Sequence, residues 1–122
     1  MTEIVSESGS QRDAMISLVD NVITRQFRDL PPNVILATKT FILDSIGVGL
    51  AGSVAPGVSE MLKMLLDWNG TKESTVIGFG KLLPAWGAAM MNSFLMHNQE
   101  FDCVHDRAVL HPFTIVLPAI LA

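Results

Sequence analysis

Residues 84–112 read PAWGAAMMNSFLMHNQEFDCVHDRAVLHP. In the first half, opened by Pro84, Trp86, Ala88, Ala89, Met90, Met91, Phe94, Leu95 and Met96 leave almost no polar face. A helix that is apolar nearly all round is buried on most sides. The rest of the chain must therefore supply elements that cover it. The second half holds all three histidines (His97, His105, His111), the single cysteine Cys103, and the charged Glu100, Asp102, Asp106 and Arg107. It reads as a loop that the buried helix delivers, and any chemistry in this chain is concentrated there.

Upstream, the sequence reads as helical packing material. Residues 1–9 are expected to be a disordered tail. Ser10 is a candidate N-cap, with Asp13 in the first turn, where an acid suits the helix dipole. Met15, Ile16, Leu18, Val19, Val22, Ile23 and Phe27 then recur at three- and four-residue spacing, which is the pattern of an amphipathic helix. The segment DLPP ends it, and Pro32 suits the first position of a second helix over 32–50. Gly47 and Gly49 in that helix each cost about 1 kcal/mol against alanine, so close approach of another helix is expected there. A phosphate loop is the weaker reading, because GVGLAG lacks a preceding strand and a lysine.

Residues 52–57 read as a loop and 58–68 as a third helix, stopped by Asn69-Gly70. The β-branched run STVIGF, 74–79, predicts one short strand or an extended connector, and 80–83 continues as loop. After the histidine-rich stretch, Pro112 starts a last helix, in which Pro118 predicts a kink or a break. The fold class expected is all-α. This helix ends at Ala122 with its apolar pattern unfinished, so the sequence is expected to be part of a longer protein.

Bulk composition narrows the function classes. A length of 122 residues suits one domain with a core. Only 16% of residues are charged, against the roughly 25% usual for soluble domains. Some surface is therefore expected to lie against more protein. A net charge of −4 with scattered basic residues argues against nucleic acid as a partner. One cysteine cannot form an internal disulfide, and the polar N-terminus lacks the layout of a signal or transit peptide, so a cytoplasmic location is expected. The longest uncharged stretches, 45–59 and 84–99, fall short of the roughly 20 residues of a membrane span, and no membrane association is expected.

Within the loop, Glu100, Asp102, Cys103, His105, Asp106 and His111 offer ligands and acid–base groups. Cys103, His105 and His111 match none of the common zinc spacings, and no metal is expected. Acid–base work is the stronger reading, since a carboxylate beside a histidine fixes its tautomer and raises its basicity. His97 is expected to be a hydrogen-bonded packing residue, and Cys103 a small buried hydrophobe.

The stretches LPPNVILATKTFILDSIGVGLAGS (30–53) and MNSFLMHNQEFDCVHDRAVLHPFTIVLPAILA (91–122) resemble the MmgE/PrpD family. That family includes 2-methylcitrate dehydratases and cis-aconitate decarboxylases. In its pattern, an N-G/S-x3-H segment leads to an acid-F-D-D-T-H loop and then H-P. The resemblance covers nearly the whole chain from about Ser17.

It implies the N-terminal part of a helical domain, with the family's α+β lid domain outside this sequence. It also implies a lyase acting on small di- or tricarboxylates without an iron–sulfur cluster or other cofactor, usually as a homodimer. His111 and Asp102 match the family's loop, and Glu100 stands in place of its first aspartate. These three are the expected catalytic residues. Val104 stands where many members have a substrate-contacting threonine, and Cys103 replaces the second aspartate. Val104, His105 and Arg107 are the expected substrate contacts.

Losing a hydroxyl at Val104 can change specificity sharply, so an isomerase or epimerase relative stays open. The family's later lysines, second histidine and tyrosine have no counterpart here, which makes the chain alone an expected inactive unit. A non-catalytic paralogue that binds a longer partner is the rival from another class, and a metal-binding module the third.

Overall fold

The computed structural model describes residues 13–122. Its elements are α1 (Ala14–Thr24), α2 (Pro32–Gly52), α3 (Val58–Asp67), β1 (Ser74–Val76), β2 (Lys81–Leu83), α4 (Ala85–His97) and α5 (Pro112–Leu121). The chain is mostly helical, as the periodicity predicts. Contacts divide it into two compact units, residues 1–35 and 36–122, with the boundary inside α2. The expected tail and the Ser10 cap lie outside the described residues.

In the first unit, Asp13 is itself the N-cap of α1, its carboxylate accepting the Met15 amide at 2.9 Å. An aspartate at this position satisfies one of the amides that a helix start leaves without a partner. α1 ends at Thr24, before the expected Phe27, and Phe27–Asp29 forms a separate 3-10 turn. No residue of α1 is buried, although its apolar spacing is regular.

The second unit is built around α4. Ala88, Met91 and Leu95 on this helix are fully buried and pack with Val58, Leu62 and Leu65 of α3 and Val76 and Leu83 of the strands. Burying each of the larger side chains contributes about 1.5–3 kcal/mol. α4 also packs extensively on α5. The N-terminus of α4 has no side-chain cap of its own; the Glu73 carboxylate, reaching across from the strand region, accepts the Ala85 amide at 3.1 Å. That backbone hydrogen bond, helped by Thr71, holds the Glu73 carboxyl below its ordinary value of 4.5.

The predicted strand at 74–79 is half of a hairpin. β1 pairs antiparallel with β2, Ser74 opposite Leu83 and Val76 opposite Lys81. Residues 81–83, read as loop from sequence, are thus the second strand. Gly78 and Gly80 at φ 79° and 57° make the turn. Asn92, buried on α4, clamps this hairpin: its Oδ1 accepts the Ile77 amide at 2.9 Å and its Nδ2 donates to the Thr75 carbonyl at 3.0 Å.

α2 runs two residues past its expected end. The close approach anticipated at its glycines occurs, though not at both of those named. A Cβ on Gly49 would meet Met96 Cγ at 3.3 Å, whereas one on Gly47 would meet nothing within 4 Å. The tightest position is Gly52, where a Cβ would sit 2.1 Å from the Leu95 carbonyl oxygen.

By length and composition alone α2 could cross a membrane, with Lys39 and Asp44 its only charged residues; the core helix of a soluble protein passes the same test. The uncharged-run criterion missed this helix because those two charges interrupt it. α5 continues through Pro118, which is fully buried, instead of breaking there. The amide missing at Pro118 would have faced the Thr114 carbonyl, so the helix forgoes one bond.

Candidate active site

The site lies where α4 ends and α5 begins. His97 is the last residue of α4, and Asn98 caps it. Glu100 then takes a left-handed conformation, φ 55°, and its amide bonds back to the His97 carbonyl at 2.9 Å. This reversal brings Asp102 beneath the helix end. A non-glycine residue held there costs about 1–3 kcal/mol, a strain often found at functional sites. The chain returns to α5 at His111, its N-cap residue, followed by Pro112.

Asp102 is the centre of the cluster, with its side chain fully buried. His97 Nδ1 lies 3.1 and 3.2 Å from its two oxygens, and the Thr114 hydroxyl donates to Oδ2. His111 Nδ1 closes to 3.0 Å of Oδ2. That contact is at ion-pair distance but off the hydrogen-bonding axis, so the buried His111 Nδ1 has no in-line partner. Catalytic hydrogen bonds are often misaligned before substrate arrives. The two imidazoles meet edge to face, with ring centroids 4.8 Å apart.

Burial alone would raise the Asp102 carboxyl, and it is the largest single influence. The Thr114 hydroxyl, the His97 hydrogen bond, the His97 charge and a hydrogen bond from the Asp102 backbone together outweigh it and hold the group below its ordinary 3.8. Asp102 is therefore a carboxylate at neutral pH, an acceptor for the imidazoles with no proton of its own to donate.

A cleft of about 550 Å³ opens beside this cluster, with His97, Glu100 and His111 on its polar side and Met61, Met90 and Phe94 among its apolar walls. That volume suits a small organic ligand. Among the described residues, no lysine or arginine lines it.

The structure brings together His111, Asp102 and Glu100 among the residues singled out in the sequence. Glu100 is the loosest member, its carboxylate 3.6 Å from His97 Nε2 and largely exposed. Val104, His105 and Arg107 do not line the cleft. Val104 and Arg107 are exposed. His105 closes a tight loop instead: its amide donates to the Leu110 carbonyl at 2.8 Å, and its Nδ1 accepts the Ala108 amide at 3.1 Å.

Two further members of the cluster, His97 and Thr114, lie outside the expected site residues. For His97, expected as packing, the signal is the spacing to Glu100, three residues on, and Asp102, five on. Thr114 stands three residues after His111, in the first turn of α5.

The metal ligands considered from sequence, Cys103, His105 and His111, are not the group that converges. Among the described residues, the trio with ligand atoms within 4.8 Å of one another is His97, Asp102 and His111. The Asp102 oxygens in that trio already receive His97 and Thr114.

A helical domain whose buried carboxylate holds two imidazoles beside a cleft has the make-up of an acid–base site. Residues 17–122 match the MmgE/PrpD N-terminal domain, and the chain belongs to that family. It is 29% identical over 118 residues, 97% of its length, to a cis-aconitate decarboxylase-like protein, oryM, of Aspergillus oryzae. It is 34% identical over 94 residues, 77% of the chain, to the cis-aconitate decarboxylase of Aspergillus terreus. The cis-aconitate decarboxylase of Mus musculus is 32% identical over 94 residues, 76% of the chain. The chain spans 24% of the first of these relatives and 19% of the other two.

Proposed function

We propose that this domain supplies the histidine side of the active site of a lyase acting on a small di- or tricarboxylate. The reaction is dehydration or decarboxylation through proton transfer at the carbon alpha to a carboxylate. The observation that carries this reading is the pairing of His111 with buried, ionised Asp102 at the rim of a cleft. Cis-aconitate is the first substrate to test, since three relatives bear its name.

In a dehydration, the free nitrogen of His111 takes the alpha proton while hydroxide leaves from the neighbouring carbon and a double bond forms. In a decarboxylation, carbon dioxide departs and the protonated ring returns a proton to carbon. Asp102 stabilises the imidazolium in either case. Glu100 contacts substrate or positions His97. Val104, His105 and Arg107 act in this reading only if further protein folds over the loop.

A polycarboxylate needs fixed positive charge to hold it, and among the described residues the cleft has no lysine or arginine. The 122-residue chain is therefore inactive alone, and the lysines come from protein outside it. The test compares cis-aconitate turnover by the purified chain with turnover by the protein isolated from its own source, whose intact mass is measured first. Turnover by the chain alone overturns the division of labour. Absence of turnover in the source protein, on cis-aconitate and on 2-methylcitrate, overturns the lyase reading and favours an isomerase or epimerase.

A second reading rests on exposed apolar side chains. Val22, Ile23 and Phe27 in the first unit, and Leu43, Ile115 and Ile120 in the second, are more than 60% exposed. Such surface is expected to be covered by further protein. A homodimer in a reducing cytoplasm, without nucleic acid or membrane partners, goes with the lyase reading. A paralogue that covers these faces with a longer partner is the alternative. Light scattering of the source protein separates them: a single species at twice the intact mass of the source polypeptide supports the homodimer, and a species containing a second, longer polypeptide supports the paralogue.

A further inference from the structure

We propose that His97 is a positioning residue for His111, acting through Asp102, and that the two rings carry the less common neutral tautomer, with the proton on Nδ1. This deepens the lyase reading and rests on it for its catalytic meaning.

Asp102 is ionised and wholly buried, and it faces both Nδ1 atoms at 3.0–3.2 Å. A lone pair on His97 Nδ1 would point at negative charge, and one on His111 Nδ1 would lie 3.0 Å from it, off the hydrogen-bonding axis. Buried Asp102, nearer than the largely exposed Glu100 carboxylate 3.6 Å from His97 Nε2, draws the proton to each Nδ1 and leaves both Nε2 atoms unprotonated in the neutral rings. His111 then offers its Nε2 lone pair to accept a proton.

His97 donates between both oxygens of Asp102, and Thr114 takes Oδ2. Without His97, Oδ1 loses its side-chain donor. A buried oxygen that loses a donor disfavours the ionised form. Asp102 then rotates or takes up a proton, and the charge that fixes the His111 tautomer is lost.

His105 provides an internal contrast. Its Nδ1 accepts the Ala108 amide, so its proton sits on Nε2. The chain has only these three histidines, and each predicts a defined nitrogen spectrum.

The experiment is long-range proton–nitrogen NMR of the ring nitrogens in the 122-residue chain, at a pH where the rings are neutral. It needs no turnover, so its failure is distinct from failure of the lyase reading. The expected result is a protonated Nδ1 for His97 and His111 and a protonated Nε2 for His105. In His97→Ala, His111 shifts toward the Nε2-protonated form, while His105 is unchanged. In His97→Asn, whose side-chain amide places a donor near the lost Nδ1, His111 returns to the Nδ1-protonated form. A purely structural role for His97 would not produce rescue by asparagine with His105 unmoved. A protonated Nε2 at His97 or His111 in the unaltered chain overturns the proposal, whether or not the variants fold. So does a His111 tautomer that His97→Ala leaves unchanged.

Discussion

The Thr114 hydroxyl, in the first turn of α5, donates to the buried Asp102 carboxylate, twelve residues earlier in the chain. One side chain thus ties the start of α5 to the loop that leaves α4. Thr114→Val keeps the shape and removes the donor. It should lower stability by about 1–3 kcal/mol, read as a shift of the denaturant midpoint, and should raise the Asp102 carboxyl, read by carbon NMR. Thr114→Ser should restore both.

The depressed Asp102 carboxyl sets a pH window. Asp102 stays ionised in the folded chain to a lower pH than in the unfolded chain, so its contribution is fully present above its ordinary value of 3.8. It is lost as pH falls through the lower folded value. Asp102→Asn should therefore be less stable than the unaltered chain at neutral pH, by about 1.5–3 kcal/mol for hydrogen bonds to a charged group. The gap should close below pH 3.8. Thermal melts of both proteins across pH 2 to 7 check this, and a gap that widens in acid would contradict it.

Gly52 and Gly47 occupy the same helix with opposite consequences. A Cβ at Gly52 runs into the Leu95 carbonyl and Asn98, the residue that caps α4 beside the site. Gly52→Ala should cost about 1–3 kcal/mol, the range for overpacking. Gly47→Ala meets open space and should stabilise α2 by up to about 1 kcal/mol. Parallel urea titrations of the two variants measure the contrast.

Asn92 satisfies a backbone amide and a backbone carbonyl of the hairpin from within the core. Asn92→Leu leaves both groups without partners and should destabilise by about 2–5 kcal/mol. Amide exchange should rise first at Ile77.

Much of this architecture is legible in the sequence because helical periodicity and the Pro32, Asn69-Gly70, Pro84 and Pro112 signals are local. The second hairpin strand was not, since KLL carries no alternation to set it apart from loop; Leu83 earns its burial only when paired with Ser74. Gly52 looked like the start of a loop because its closeness to Leu95 is a tertiary fact. The site was half legible. His111, Asp102 and Glu100 stand in one recognisable loop, but His97 ends an apolar helix and Thr114 begins another. Only the fold brings their side chains onto one carboxylate. His105, adjacent in sequence to the acids, is turned away by the loop it closes with Leu110.

In the lyase reading, His111, held by Asp102, moves the proton. The most direct measurement is the turnover rate of His111→Ala against the unaltered protein as isolated from its own source, with a tricarboxylate substrate at saturation. A fall in kcat of about 10²–10⁴-fold is expected, the usual worth of a positioned acid–base group, in a folded variant of unchanged oligomeric state. A kcat equal to that of the unaltered protein would contradict it.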